Sequence, residues 1–208
     1  MIGLVCKYIF QPAEESAFMF FAASNKDLAE IDPLRKYLQV MTAIGTGGFI
    51  FAKTCGRQFI LVVHTEAWAS ESCVALLQAY CLYCAFMALN GISEAYAYSK
   101  GNEATMATLR RLMVINTICY ISLSLYLSQE MGVIGLVYAN CANMLLRSIA
   151  CLAYTFKQYK KSSTETILFF VSIFSGKIYL GLVALALGGC LILQHQVIPF
   201  LFPKTIIS

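Results

Sequence analysis

Six apolar stretches separated by short polar connections run the length of the chain: residues 2–23, 36–62, 72–98, 105–127, 132–156 and 166–193. Each exceeds the ~20 residues that an α-helix needs to cross ~30 Å of hydrocarbon, so each predicts a membrane-spanning helix. The second is unusual in holding Lys53 and Arg57. Its spanning part is expected to end near Ala52, with Phe59 to Val63 lying along the interface. Lys26 to Arg35 is the most polar connection, and Ser128 to Met131 reads as a tight turn. No linker, low-complexity segment or second soluble domain interrupts the pattern, which makes residues 1–208 a single transmembrane domain.

Composition moves the reading the same way. Of the 208 residues 59% are hydrophobic and only 12% charged, with mean hydropathy +0.70, whereas a soluble domain is about 25% charged. The predicted fold class is therefore all-α, a polytopic helical membrane protein. Nine cysteines lie mostly inside apolar runs rather than turn-rich loops, which fits small packing residues and not a disulfide framework. The net charge of +4 points to topology rather than to nucleic acid, because the basic residues collect in short loops. Lys26, Arg35, Lys36, Lys100, Arg110, Arg111, Lys157, Lys160 and Lys161 fall on one side, and Lys7, Lys53, Arg57 and Lys204 on the other. Nine against four places the first set in the cytoplasm. The first apolar run has no basic n-region before it and carries charge in its middle, unlike a signal peptide. With termini on the exterior or lumenal side and apolar runs at both ends, the chain reads as a piece of a longer membrane protein.

The chemistry lies in the polar positions inside the spans. Glu14 and Glu15 stand in the middle of the first one. A carboxylate at the bilayer centre costs roughly 2.5–3.5 kcal/mol on insertion scales, so both are expected to face a cavity, away from lipid-facing positions such as Phe18. At 100° per residue, Gln11, Glu14, Glu15 and Ala22 lie within about 60° of one line. Pro12 removes a backbone hydrogen bond beside them and is expected to bend the helix. In the third span Tyr83, Met87, Asn90 and Glu94 share a face, with Gly91 expected to interrupt the helix. Asn140, Asn143 and Arg147 form a comparable seam in the fifth, and Lys177 lies within the sixth. Together these residues are the candidates for a substrate pathway.

Each has a plainer reading beside it. Asparagines in membrane helices commonly join neighbours at about 0.6 kcal/mol apiece, which suits Asn116, Asn140 and Asn143. Arg147 and Lys177 can snorkel or pair with a carboxylate, and Glu94 near the cytoplasmic boundary carries a smaller cost. The glycines at 45, 47 and 48 and at 176, 181, 188 and 189 suit close packing or local flexing. Cys81 and Cys84 have C-x-x-C spacing, but they lie mid-span with no second pair, and only His64 and His195 are present. A metal or redox site is not expected, nor any cofactor. No phosphate-cradling loop or nucleophile with a base occurs, so an enzyme is disfavoured.

Tyr8-Ile9-Phe10-Gln11-Pro12-Ala13-Glu14-Glu15-Ser16, followed by Phe20-Phe21-Ala22, resembles the signature of the Rft family of oligosaccharide-lipid translocation proteins. Ala88-Leu89-Asn90-Gly91-Ile92-Ser93-Glu94-Ala95 resembles the family's asparagine-glycine-x-x-glutamate segment. Gly135 to Arg147, with Ala139-Asn140-Cys141 and Asn143-Met144, resembles the helix pair that follows. The likeness covers roughly Tyr8 to Lys161; beyond Thr164 only hydrophobicity remains.

The resemblance implies membership of the multidrug, oligosaccharidyl-lipid and polysaccharide exporter superfamily, in which two six-helix halves rock around a central cavity. It also implies a multi-pass protein of the endoplasmic reticulum membrane. Its task would be to move the dolichol pyrophosphate-linked five-mannose oligosaccharide of N-glycosylation to the lumenal leaflet, as flippase or accessory factor. The chain would supply most of the C-terminal half, and its partners would be that glycolipid, the bilayer and the missing N-terminal half. Carboxylates and amides can bond sugar hydroxyls, while Arg147 or Lys177 could neutralise pyrophosphate. Two alternatives stay open: a cation-coupled drug or metabolite antiporter using Glu14 or Glu15 as its ion site, and a non-transport assembly subunit of the glycosylation machinery.

Overall fold

A computed structural model describes residues 6–23, 31–64, 68–158 and 163–197. The start of the first predicted span, together with Lys26, Lys160, Lys161 and Lys204, lies outside them. A π-helical turn, Cys6–Phe10, leads into α1 (Gln11–Ala23), followed by α2 (Ile31–Val63), α3 (Glu71–Lys100) and α4 (Glu103–Met131). Then come α5 (Val133–Gln158), α6 (Ser163–Ser175), α7 (Lys177–Ile192) and a second π turn, Leu193–Val197. The described residues contain no strand. Glu71–Lys100, Glu103–Met131, Val133–Ala153 and Lys177–His195 are long and apolar enough to cross a membrane. The chain is an all-α polytopic membrane protein.

Local chemistry fixes several boundaries. Ser70 caps α3 by accepting from the Cys73 amide at 3.4 Å, and Asn102 caps α4 by accepting from the Thr105 amide at 2.8 Å. Such caps satisfy amides that the first helical turn leaves without partners. Helix α4 runs through the expected turn at Ser128 to Met131, and the reversal is made by Gly132 alone. Its φ of +62° is a left-handed conformation that side-chain-bearing residues rarely adopt.

Two of the expected spans take another form. The second carries on past Ala52 in one helix, α2, that reaches Val63 and is about 50 Å long at 1.5 Å per residue. Lys53 and Arg57 are accommodated because both point outward, Lys53 over the ring of Phe49 at 5.9 Å. The sixth span is broken at Gly176 into α6 and α7. A Cβ on Gly176 would fall 1.9 Å from Nε2 of Gln39, and that nitrogen donates to the Ser172 carbonyl at 3.0 Å. Buried Gln39 thereby gives a backbone oxygen beside the break a side-chain donor, the kind of support under which broken helices are tolerated inside membranes.

Helix α3 is the hub, packing against α1, α2 and α5, while α4 covers α5 and α7 lies along α2. Gly45 of α2 meets Ala85 of α3 so closely that an added Cβ would stand 2.5 Å from the Ala85 Cα. One apolar cluster, including Phe21, Leu38, Ile92, Tyr96, Phe156 and Phe169, ties α1, α2, α3, α5 and α6 together at one end. Phe21 meets Tyr96 edge to face at 4.9 Å, which seats α1 against α3. Outward-facing residues are apolar too: Val114, Ile118, Leu125 and Tyr126 along α4 are each about 60% exposed. An apolar outer surface of this extent suits lipid rather than water.

Candidate functional site

Three helices bring charged residues together beside the α1–α3 contact. Pro12 stands where the π turn gives way to α1, one helical step before the carboxylates. Glu14 then reaches across to Gly91 of α3. A Cβ on Gly91 would fall 1.8 Å from Oε1 of Glu14, 2.2 Å from its Cδ and 2.7 Å from its Cγ. Helix α3 runs unbroken through this glycine. The expectation that Gly91 interrupts the helix is therefore corrected: what the position needs is the absence of a side chain where a carboxyl group lies on the backbone.

Glu14, Glu15, Phe18, Met19, Gly91 and Glu94 line an open cavity of about 430 Å³. Glu15 is exposed, and Gln11 donates to its Oε1 at 3.1 Å across one helical turn. Glu94 is bound from α5: Arg147 donates to its Oε1 from Nε at 3.0 Å and from Nη2 as well. The pair is mostly shielded, with 31% of the Arg147 side chain and 18% of the Glu94 side chain exposed. Phe18, 43% exposed, stands at the edge of this open cavity.

The other candidates divide. Asn90 is buried, with Oδ1 lacking a hydrogen-bond partner, one residue before Gly91 and outside the cavity lining. Asn143 is engaged elsewhere: Asn116 of α4 donates to its Oδ1 at 2.6 Å, the interhelical bond weighed for these amides. Asn140 is half-buried and does not line the cavity. Lys177, grouped with these residues by the sequence, is exposed at the first position of α7 and does not line this cavity. No group of three His, Cys, Asp or Glu side chains among the described residues could hold a metal ion.

Gln39 is a structural residue that the sequence candidates do not include. Gln39 carried a usable signal, being an amide among Leu38, Val40 and Met41. What the cavity offers chemically is mainly acceptors, because carboxylate oxygens take hydrogen bonds from hydroxyl groups. Its nearest cation, Arg147, is already occupied by Glu94.

A family model described as Rft protein matches residues 3–206. The Man(5)GlcNAc(2)-PP-dolichol translocation protein RFT1 of Xenopus tropicalis is 27% identical over 178 residues, covering 80% of this chain and 33% of the relative. The protein of the same name from Mus musculus is 28% identical over 176 residues, covering 77% and 32%. That of Dictyostelium discoideum is 32% identical over 116 residues, covering 56% and 21%. The chain spans about a third of the length of the first two. No solved structure matches it significantly.

Proposed function

The chain belongs to the Rft protein family, and from that membership we propose that it acts within a translocator of dolichol pyrophosphate-linked five-mannose oligosaccharide. The step is passage from the cytoplasmic to the lumenal leaflet of the endoplasmic reticulum membrane during N-glycosylation. It is a movement and not a covalent reaction, which accords with the relatives being named translocation proteins. The observation that carries the reading is the cavity holding Glu14, Glu15 and Glu94 beside the α1–α3 seam. A glycolipid head crossing ~30 Å of hydrocarbon needs a polar surface that replaces the water on its hydroxyls. Three carboxyl groups on one cavity supply acceptors for such hydroxyls.

Arg147 takes a different role from direct neutralisation of pyrophosphate. Its two hydrogen bonds to one oxygen of Glu94 fix that carboxyl group at the cavity wall. Arg147 is therefore a positioning residue. Breaking a buried pair by removing one partner costs about 3–5 kcal/mol, and this partly exposed pair falls toward the lower end. In the full-length protein, Arg147→Gln alone should lower membrane abundance. Combining it with Glu94→Gln removes both charges and should restore abundance, yet the five-mannose lipid intermediate should still accumulate because the cavity has lost an acceptor of full charge. Restoration of both abundance and lipid profile in the double variant would reduce the pair to a structural strut and remove the site reading.

A further inference from the structure

A second cavity lies further along α3, against α2, and has the opposite character. It encloses about 230 Å³ between α2, α3 and the turn before α1, with walls that include Phe10, Gly48, Phe51, Phe59, Cys81 and Cys84. No charged residue lines it. We propose that this groove binds the isoprenoid chain of the glycolipid whose sugar head uses the Glu14 cavity, an inference that rests on the function proposed above.

The placement follows from α3, the helix that lines both cavities. Phe10 lies one turn before Glu14, and Cys84 lies seven residues before Gly91, about 10 Å along α3. Phe10, Cys84 and Ala88 pack together as a buried cluster. An amphiphile lying along α3 meets acceptors at one level and hydrocarbon at the next. The occupant's chemistry matches this order, because a polyisoprenyl pyrophosphate sugar changes from polar to wholly apolar at a single bond.

Size and shape favour a branched chain. Apolar cavities of about 150 Å³ stay dry and accept benzene, so 230 Å³ holds more than one five-carbon unit. Bilayer chains are as apolar as the groove walls, so occupancy must come from fit and dispersion rather than from escape from water. The missing side chain at Gly48 supplies width: a Cβ built there meets nothing within 4 Å. Phe51 and Phe59, edge to face at 5.6 Å, form a rigid wall against which methyl branches can lodge.

The open space at Gly48 also gives the test. Gly48→Phe and Gly48→Leu fill the groove without striking a neighbour at Cβ and raise helix propensity. The full-length protein, purified into phosphatidylcholine nanodiscs, would be irradiated with a polyisoprenyl phosphate bearing a diazirine in its chain, and labelled peptides mapped. Labelling should concentrate on residues 44–59 and 77–84, and unlabelled polyisoprenyl phosphate should compete with it. Dioleoyl phosphatidic acid should compete poorly. Both variants should melt with the wild-type protein and lose about tenfold of the groove labelling. Unchanged labelling in the two variants would overturn the proposal, and so would equal competition by phosphatidic acid, which would make the occupant an ordinary bilayer chain. Label spread evenly over the lipid-facing side of α4, at Ile118 and Leu125, would do the same. None of these readouts requires sugar transfer, so failure of the proposed function would show instead as normal glycolipid movement in membranes lacking the protein.

Discussion

The contact between Glu14 and Gly91 can be broken and remade by changing one carbon at a time. Gly91→Ala adds a single Cβ at a point 1.8 Å from Glu14 Oε1 and 2.7 Å from its Cγ. Ordinary van der Waals contact begins near 3.4 Å, so the carboxyl oxygen must retreat by about 1.6 Å and the Cγ by about 0.7 Å. The obstructing atoms end a flexible side chain, and Glu14 can yield by turning to another rotamer at a cost of order 1 kcal/mol. Replacing glycine by alanine within a helix returns about 1 kcal/mol. Folding stability should therefore change little, while the carboxyl group leaves its place on α3.

The complementary change is Glu14→Asp, which withdraws the carboxyl group by one carbon–carbon bond, about 1.5 Å. That nearly equals the retreat demanded by the new Cβ. In the full-length protein, Gly91→Ala should keep wild-type membrane abundance and accumulate the five-mannose dolichol intermediate. The Gly91→Ala/Glu14→Asp double variant should transfer better than Gly91→Ala alone. A double-mutant cycle on the lipid-linked sugar profile isolates the coupling, expected at about 1 kcal/mol for residues in direct contact. Strict additivity, with the double variant no better than Gly91→Ala, would refute the reasoning that Gly91 exists to admit Glu14.

Two further outcomes check the cavity and the broken helix. Cysteines placed at positions 14 and 15 of a cysteine-free full-length protein should react with a small water-soluble thiol reagent well ahead of a cysteine at lipid-facing Leu125; protection equal to that control would mean that no hydrated cavity exists. Gln39→Leu leaves the Ser172 carbonyl without its side-chain donor and should destabilise the protein by about 1–3 kcal/mol, read as lower melting temperature and membrane abundance. A Gln39→Leu protein that melts with the wild type would show that the break at Gly176 needs no support from α2.

The helical architecture was legible because hydrocarbon imposes it: six apolar runs of sufficient length admit little besides spanning helices. Local signals also put Glu14, Glu15 and Glu94 on polar stripes, since period and insertion cost are properties of neighbouring residues, and in the structure all three line one cavity. What escaped were facts about partners far along the chain. Gly176 breaks a helix with Gln39 as its support, 133 residues from the Ser172 acceptor, and nothing near Gly176 distinguishes it from Gly181 or Gly188. Gly91 was read as a break because glycine weakens helices, whereas its use is close approach by α1. Arg147 and Glu94 were both singled out, but their union spans 53 residues and no periodicity within either helix could pair them.

The union of Arg147 with Glu94 bears on what a translocator should bind strongly. Movement across a membrane depends on release as much as on capture, and a site that holds one end state too firmly stops turnover. A free guanidinium in a low-dielectric cavity would bind pyrophosphate through charge-assisted, bidentate contacts, the strongest hydrogen bonds a side chain offers. With Arg147 already held by Glu94 through Nε and Nη2, pyrophosphate would meet only the remaining N–H donors of a guanidinium whose charge the carboxylate largely offsets, and much of the energy is lost. Sugar hydroxyls face a milder exchange, since each bond to a carboxyl oxygen replaces one to water for a net gain of about 1 kcal/mol. A cavity edged by Glu14, Glu15 and a pre-paired Glu94 thus offers several weak, replaceable contacts to a neutral oligosaccharide and no trap for its charged linker.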